Sequence, residues 1–275
     1  MTFTFENNNV YIKDCELFDL DKTFTCGQCF RFEKMENGKW FGVVKDKEIT
    51  LWQEKEKIIF ENVSRYEFEN FWYDYFDLGR DYEKINNVFS SNKILNTALN
   101  YGKGIRILKQ EPWEALCSFI ISQNNNIPRI KGIISRLCST FGEKLINSYS
   151  FPSADVIAKL TVEDLAPLRS GFRAKYILDA AKKVSNDEIN LDNISKFNSE
   201  EARKELTKIY GVGEKVADCT LLFGMGHIDA FPKDVWIKRA LTVLFDGDFP
   251  DCAKEYAGIA QQYIFFYARE TKLDI

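Results

Sequence analysis

The segment from Leu206 to Cys219 constrains this chain most, because it places a three-residue Gly-Val-Gly turn between two helical patterns. Gly211 and Gly213 permit positive φ angles and close approach of the backbone, and Val212 can bury its side chain between the two helices. The N–H groups at the start of the second helix then face outward, where they can hold a phosphate oxygen. The pattern predicts a helix-hairpin-helix motif that grips a nucleic-acid backbone without reading its sequence.

Lys215 lies in the first turn of the second helix of this motif. A lysine at this end of a helix lies next to the outward-facing N–H groups, and its amine is a candidate nucleophile. The spacing alone leaves two interpretations open, an attacking amine and a lysine that contacts phosphate.

Asp234 follows Lys215 by nineteen residues and directly precedes an apolar helical pattern. This placement predicts that its side chain caps the helix. A carboxylate near an attacking lysine could also stabilise positive charge on a sugar and assist proton transfer.

The rest of the chain predicts an α+β fold. Residues 10–62 alternate in the manner of an antiparallel meander, with an Asn37-Gly38 hairpin turn. From about residue 65 the apolar period becomes helical, and the aromatic stripe Phe68, Phe71, Trp72, Tyr75 and Phe76 is interpreted as core. We expect an N-terminal antiparallel β-sheet domain with trailing helices over residues 1–100. We expect it to pack on a mostly α-helical helix-hairpin-helix body over residues 101–275.

Proline and glycine positions delimit further helices in this body. They are predicted near residues 112–123, 128–141, 153–168, 173–184, 198–209, 214–224, 234–245 and 252–268.

Charge is distributed unevenly along the chain. The formal net charge is −4, and residues 1–100 carry 13 basic and 18 acidic side chains. Residues 101–140 carry six basic side chains and two acidic ones. A polyanion should therefore contact the later part of the chain, because affinity for DNA depends on local phosphate neutralisation.

The seven scattered cysteines indicate reduced thiols rather than a disulfide framework. Cys26 and Cys29 form one C-x-x-C pair without a second ligand pair, so we interpret it as structural and expect no metal site. Residues 1–14 lack a signal-peptide pattern, and no stretch of eighteen apolar residues occurs. These features predict an intracellular protein without a membrane span.

The stretch from Leu206 to Leu244 resembles the HhH-GPD superfamily, which combines a helix-hairpin-helix, a Gly/Pro-rich loop and an aspartate. Within it, the string from Gly211 to Cys219 is similar to the 8-oxoguanine DNA glycosylases. The resemblance implies that Lys215 is the nucleophile and Asp234 its catalytic partner.

The resemblance also implies a pocket for the oxidised base. Gly27, in the segment Cys26–Arg31, matches the glycine whose carbonyl accepts the N7–H of 8-oxoguanine. Gln261 would contact the Watson–Crick edge, and Phe265 and Cys219 would cover the faces of the base. Pro232, in the Gly/Pro-rich loop, is assigned to the same pocket.

A second set is implied to contact DNA. Asn124 and Arg129 match readers of the cytosine opposite the lesion, and Phe172 and Arg173 match an aromatic wedge and a further cytosine reader. Phe172 replaces the tyrosine of animal members. Trp236 replaces a phosphate-contacting histidine, and Ile259 replaces an aromatic residue. The other implied DNA contacts are Gly211, Gly213 and Val216.

Together these expectations describe a bifunctional glycosylase and AP lyase that removes 8-oxoguanine opposite cytosine from duplex DNA by base flipping and a lysine Schiff base. We expect a monomer without cofactor, located with the DNA in the cytoplasm or nucleoid of a prokaryote or in a eukaryotic nucleus. Three alternatives stay open: an alkylated-purine glycosylase of the same superfamily, a non-catalytic DNA-binding module and a metal-dependent nuclease. Lys215 argues against the alkylated-purine glycosylase, and Lys215 together with Asp234 argues against the non-catalytic module. The lack of a carboxylate cluster in the sequence argues against the nuclease.

Overall fold

The computed structural model describes residues 1–247 and 249–271, and its contacts divide the chain into two compact units. Unit 1 comprises Met1–Gln28, Thr50–Lys109 and the described residues from His227 onward, and unit 2 comprises Cys29–Ile49 and Gln110–Gly226. Each unit contains stretches that are far apart in the sequence. The predicted division into residues 1–100 and 101–275 is a division of the sequence, and it stays a prediction.

In the described residues, the sheet contains six strands: β1 (Thr2–Glu6), β2 (Asn9–Lys13), β3 (Phe32–Lys34), β4 (Trp40–Val44), β5 (Lys47–Glu54) and β6 (Lys57–Glu61). They are antiparallel and follow the order β1-β2-β6-β5-β4-β3. Val10 and Leu51 both align with Phe60 and are buried with it. The predicted Asn37-Gly38 turn joins β3 to β4, with Gly38 at φ +81°.

The prediction that residues 10–62 contain only strands was wrong at one place. Leu20–Thr25 forms a helix, α1, because the Asp19 side chain accepts a hydrogen bond from Lys22 N and caps its first turn. Leu20 and Phe24 bury their side chains on one face of this helix. Strand β1 lies before the predicted meander.

The remaining helices in the described residues are α2 (Arg65–Glu67), α3 (Tyr73–Tyr75), α4 (Tyr82–Ser90), α5 (Lys93–Gly102), α6 (Pro112–Ser122), α7 (Ile127–Phe141), α8 (Ala154–Ala158), α9 (Arg173–Ser185), α10 (Leu191–Ile194), α11 (Ser199–Leu206), α12 (Glu214–Gly224), α13 (Val235–Phe245) and α14 (Ala257–Glu270). Phe68–Trp72 is a π-helical segment, and Ala166–Leu168 and Asp251–Tyr256 are 3₁₀ segments. No described helix combines the length and the apolar character that a membrane crossing requires.

Three predicted helices are shorter than expected, and one of them, predicted over 198–209, is helical only over Ser199–Leu206. The stretch 153–168 contains only α8 and a 3₁₀ turn, because the Asp164 side chain accepts hydrogen bonds from the Thr161 amide and hydroxyl, each at 2.8 Å. Such local bonds divert the backbone from a helix. The stretch 252–268 begins as a 3₁₀ segment and becomes helical at Ala257. Helices α4 and α5, capped by Asp81 and Asn92, are trailing helices of the kind expected within residues 1–100, although their bounds were not predicted. Helix α10 was missed.

Four of the five residues of the aromatic stripe lie in the core of unit 1, as predicted, whereas Phe71 is half-buried. Phe68, Trp72 and Phe76 are at most 1% exposed. Phe60 of strand β6 meets the rings of Phe68 and Phe76 edge-on, with centroids 5.5 and 5.3 Å apart. These contacts fix the helical segment 65–75 against the sheet residues of its own unit.

Helices α6 and α12 form the centre of unit 2. A Cβ placed at Gly224 would lie 2.9 Å from the Cβ of Ala115, so the backbones approach closely where α12 ends and α6 begins. Phe119 and Phe223 stack with ring centroids 5.2 Å apart. The two helices therefore run antiparallel, and the end of α6 lies beside the start of α12.

The C-x-x-C segment is buried in the described structure. All seven cysteines are free thiols, and six of them, including Cys26 and Cys29, are buried. Burial raises the pKa of Cys26 to about 11. Its sulfur accepts a hydrogen bond from Gln28 Nε2 at 3.3 Å.

Gln28, the residue after Gly27, is completely buried. Its amide nitrogen donates to the carbonyl oxygens of Thr23 (2.9 Å) and Arg106 (2.7 Å), and its Oε1 accepts from Leu108 N (2.9 Å). One side chain thus supplies partners to three backbone groups and holds the Gly27 turn against residues 106–108.

Replacing Gln28 by methionine should destabilise the protein, because a side chain of similar volume would leave buried backbone groups without these partners. Each unsatisfied group costs about 1–3 kcal/mol, so we expect the free energy of unfolding to fall by roughly 3 kcal/mol. Urea titration followed by circular dichroism measures this change. An unaltered unfolding midpoint for Gln28→Met would contradict the assigned role.

Candidate active site

The hairpin between α11 and α12 uses a positive φ only at its first glycine, because Gly213 is extended, with φ −96°. Gly211 has φ +80°, and a Cβ there would lie 2.3 Å from the Tyr176 ring, so only glycine fits. Gly213 precedes α12 without a side-chain cap, and a Cβ there would meet nothing within 4 Å. Val212 is buried, as expected. The first-turn N–H groups, including that of Val216, are therefore presented beside an open backbone surface that suits a phosphate.

Lys215 is half-buried in the first turn of α12 and is held in place by residues of α6. Its Nζ donates to Ser122 Oγ at 3.1 Å and lies 5.3 Å from the centroid of the Phe119 ring. The Ser122 hydroxyl in turn donates to the carbonyl oxygen of Phe119 at 2.8 Å. The only hydroxyl proton of Ser122 is therefore used in the bond to the Phe119 carbonyl, and Ser122 can only accept an N–H from Lys215. The lone pair of a neutral Lys215 amine is then not engaged by Ser122.

Two further α12 residues have distinct environments. Cys219 lies one turn after Lys215, on the same side of the helix, and is 3% exposed. Asp218 forms an ion pair with Arg203 of α11, with 2.6 Å between Oδ1 and Nε. This ion pair ties together the two helices that flank the hairpin.

Asp234 caps α13, as the sequence predicted. Its Oδ1 accepts from Ile237 N at 2.7 Å, and the residue is half-buried. Pro232 is buried in the loop before it, whereas Trp236 is 42% exposed. The cap fixes the carboxylate at the start of α13.

Gly27 and Phe265 are brought together within unit 1. Gly27 has φ +85°, and a Cβ there would lie 3.7 Å from Phe265 Cε1, so the aromatic ring lies next to the glycine backbone. Arg269 donates to the carbonyl of Thr25 at 2.8 Å, and its guanidinium lies 5.9 Å from the Phe265 ring centroid. The glycine turn and the aromatic ring thus form one rigid surface.

Gln261 lies one turn before Phe265 on α14 and is 4% exposed. Its Oε1 accepts from Gln262 Nε2 at 2.8 Å, and the Oε1 of Gln262 has no hydrogen-bond partner within the described residues. Gln262 therefore orients the Gln261 amide, which leaves the Gln261 Nε2 group available as a donor.

The predicted cytosine readers lie together in unit 2. Asn124 is exposed in the left-handed conformation, with φ +46°, and Arg129 is exposed in the first turn of α7. Phe172 is 50% exposed, and its ring meets Tyr176 edge-on with centroids 5.6 Å apart. An exposed, braced aromatic ring suits a wedge.

Arg173 differs from the other predicted readers because it is only 2% exposed. Its guanidinium donates to the carbonyl oxygens of Gln123, Asn124 (2.8 Å) and Ser170 (3.2 Å). Burial and the charge of Arg129 lower its pKa. In this arrangement Arg173 holds the Asn124 turn in place. The predicted contact with cytosine stays a prediction and would require the guanidinium to leave these carbonyls.

Sequence reasoning missed Ser122, Phe119, Tyr176 and Gln262. Ser122 directly precedes the Gln-Asn-Asn-Asn segment, and this adjacency was the available signal. The others act through contacts between segments far apart in sequence, which no local pattern reveals. Within the described residues, no group of three or more cysteine, histidine or acidic side chains is arranged to bind a metal ion.

Comparison with known proteins assigns families to most of the chain. Residues 10–116 match the 8-oxoguanine DNA glycosylase N-terminal domain, and residues 117–251 match the HhH-GPD superfamily of base excision DNA repair proteins.

Two curated relatives carry related names. The N-glycosylase/DNA lyase of Saccharomyces cerevisiae is 42% identical over 154 residues, which are 50% of this chain but only 41% of the yeast protein. The probable N-glycosylase/DNA lyase of Methanothermobacter thermautotrophicus is 32% identical over 232 residues, covering 72% of this chain and 74% of the relative.

A solved structure extends the similarity over almost the whole chain. The 8-oxoguanine glycosylase/lyase of Clostridium acetobutylicum, in complex with double-stranded DNA containing cytosine opposite 8-oxoguanine, superposes with a TM-score of 0.93. It is 38% identical, and the match covers 99% of each chain. The chain therefore belongs to the HhH-GPD superfamily of base excision DNA repair proteins and, within it, to the 8-oxoguanine DNA glycosylase family.

Proposed function

We propose that this protein is a bifunctional DNA glycosylase and AP lyase that excises 8-oxoguanine opposite cytosine from duplex DNA. The observation that carries the proposal is the Lys215 amine, which is anchored 3.1 Å from Ser122 Oγ in the first turn after the hairpin. A lysine that only contacts phosphate needs no such internal anchor. The names of the yeast and archaeal relatives and the clostridial DNA complex support the same activity and substrate.

Binding begins at the DNA backbone. The open N–H groups that follow Gly211 and Gly213, including that of Val216, hold phosphate oxygens, and the Trp236 indole is an exposed donor on α13. The target nucleotide leaves the helix because its glycosidic carbon cannot be reached in the stack. Phe172 and Asn124 fill the gap, and Arg129 and Arg173 contact the unpaired cytosine.

The extruded base is recognised by the pocket residues. Phe265 stacks on it, and the Gly27 carbonyl accepts the N7–H that distinguishes 8-oxoguanine from guanine. Gln261, oriented by Gln262, bonds to the Watson–Crick edge, and Cys219 and Pro232 complete the contacts. An unsatisfied buried polar group costs about 1–3 kcal/mol, so the Gly27 contact accounts for part of the discrimination.

The chemistry uses one amine and one carboxylate. The lone pair of Lys215 Nζ forms a bond to the sugar C1′ while the bond between C1′ and the base breaks, and the departing base takes up a proton. Asp234 stabilises the positive charge that develops on the sugar. The base receives its proton from the attacking amine, and the second amine proton passes to O4′ as the C1′–O4′ bond breaks, which leaves a Schiff base between Nζ and C1′. Removal of a C2′ proton then expels the 3′ phosphate.

The expected partner is double-stranded DNA that contains oxidised guanine, bound by a monomer without cofactor. An enzyme with this substrate works where the cell keeps its DNA, in the cytoplasm and nucleoid of a bacterium or archaeon or in the nucleus of a eukaryote.

Borohydride trapping tests the proposed activity. Wild-type protein incubated with an 8-oxoguanine:cytosine duplex should form a covalent adduct, and Lys215→Gln should form none, because only a Schiff base is reduced to a stable bond. Lys208→Gln is the matched control, since Lys208 is an exposed lysine ion-paired with Glu205 and should be dispensable.

Measurement of base release alongside trapping separates the alternatives. An alkylated-purine glycosylase would release 3-methyladenine but leave 8-oxoguanine in place, and a DNA-binding module would release neither base. Equal rates opposite adenine and cytosine would contradict the roles of Arg129 and Arg173. An undiminished adduct with Lys215→Gln would refute the lysine as nucleophile.

Asp234→Asn should separate catalysis from folding. Asparagine keeps the oxygen that accepts from Ile237 N and caps helices as well as aspartate does, so stability and DNA affinity should stay within about twofold of wild type. Loss of the negative charge should reduce the single-turnover rate of base release by roughly 100-fold or more. An unaffected single-turnover rate would remove Asp234 from the mechanism.

Ser122→Ala should slow attack by Lys215 without weakening DNA binding. The amine gains positive charge as it attacks C1′, so its hydrogen bond to Ser122 becomes a bond to a charged group in the transition state. Loss of such a bond costs about 1.5–3 kcal/mol, which corresponds to a decrease of roughly tenfold or more in the trapping rate. Ser122→Thr keeps the hydroxyl and should restore most of the rate. A parallel loss of affinity and rate in Ser122→Ala, without rescue by threonine, would indicate a structural role instead.

A further inference from the structure

Three consecutive carbonyl groups accept hydrogen bonds from three different arginines in the turn before the wedge. Arg136 donates to Leu168 O from Nε (3.0 Å) and Nη2 (2.8 Å). The carbonyl of Arg169 accepts from Arg129 Nη2 at 3.4 Å, and the carbonyl of Ser170 accepts from Arg173 Nη1 at 3.2 Å.

This turn therefore gathers four guanidinium groups, of which Arg169 itself supplies the fourth. In the described part of the chain, the ion pairs include no aspartate or glutamate bound to Arg129, Arg136, Arg169 or Arg173. Carbonyl groups satisfy hydrogen bonds without neutralising charge, so the cluster keeps its positive potential. A site of this kind attracts an anion.

Arg129 and Arg169 are both exposed, but among the four arginines Arg169 alone has a side chain that makes no hydrogen bond to the described residues. Its backbone has φ +55°, in the left-handed region that disfavours residues with a side chain. The conformation is fixed from both sides, since Arg169 N donates to Ala166 O at 3.0 Å and Arg169 O accepts from Arg129. Glycine would adopt this conformation without strain, so arginine is here at a cost in stability.

We propose that Arg169 is an additional DNA-binding residue, whose guanidinium contacts a backbone phosphate beside the wedge. The inference rests on the proposed function. Phe172 follows three residues later, and the carbonyl of Arg169 is bonded to Arg129, so a duplex held by these residues brings its phosphates to the turn. The planar guanidinium matches two oxygens of one phosphate, which favours a phosphodiester over a diffuse counterion.

The test is the salt dependence of binding to a duplex with a tetrahydrofuran abasic-site analogue opposite cytosine, which cannot be turned over. Loss of one phosphate contact reduces the slope of log Kd against log salt concentration by about 0.9. Arg169→Gly should show this decrease, and its Kd at low salt should rise by roughly fivefold to tenfold. Its Tm should equal or exceed that of wild type, because the strain is removed.

Lys55→Gly is the matched control. Lys55 is also an exposed cation in the left-handed conformation, with φ +55°, in the turn between β5 and β6. Lys55→Gly removes the same charge and the same kind of strain, but the salt slope should not change. Arg169→Lys keeps the charge and should keep the wild-type slope.

An Arg169→Gly slope equal to that of wild type would overturn the inference, as would an equal decrease in Lys55→Gly. If Arg169→Gly lowers the Tm, Arg169→Asn, which also tolerates a positive φ, gives the same comparison of slopes. Failure of the proposed function is distinguishable, because wild-type protein would then release no base from the 8-oxoguanine:cytosine duplex.

Discussion

The close antiparallel packing of α6 on α12 is the constraint on which the proposed nucleophile depends. Gly224 allows the end of α12 to approach Ala115, and the stacked rings of Phe119 and Phe223 fill the space further along the pair. At the other end of the same contact, Lys215 reaches Ser122. A flexible lysine loses rotamer freedom when it is held in one position, and the hydroxyl and the aromatic ring of α6 compensate for that loss. The hairpin that would hold a DNA phosphate directly precedes α12, and Lys215 lies in the first turn of the same helix. Binding of the DNA backbone and placement of the amine therefore depend on one helix.

Buried amides have a comparable role in unit 1. Gln28 satisfies three backbone groups beside Gly27, and Gln262 orients the side chain of Gln261. A polar group in a core stabilises a structure only when its partners are in the right places. Each amide therefore selects one local arrangement, which an apolar side chain of the same size would not do. This explains how a glycine turn and a glutamine can be held with the accuracy that recognition of a single base requires.

The charged residues before Phe172 and those around the hairpin have different kinds of partners. The chain is acidic as a whole, yet the arginines before the wedge bond to carbonyl groups instead of carboxylates. Their positive charge is therefore retained for a ligand. By contrast, Asp218 is neutralised by Arg203, and this ion pair braces the helices around the hairpin. Net charge alone would have argued against a nucleic-acid partner, whereas the local distribution favours one.

Features that depend on neighbouring residues could be predicted from the order of the amino acids. The Gly-Val-Gly hairpin, the Asp234 cap, the Asn37-Gly38 turn and most helix positions follow from glycine freedom, capping and apolar periodicity, all of which act over a few residues. Prediction failed where local hydrogen bonds overrode periodicity, at Asp19 and Asp164; it missed α10 and gave no bounds for α4 and α5. The contacts of Ser122 with Lys215, of Gly27 with Phe265 and of Arg173 with the Asn124 turn arise only in the folded chain. These pairs are separated by tens to hundreds of residues, and packing of whole elements, rather than any sequence pattern, sets the distances between them.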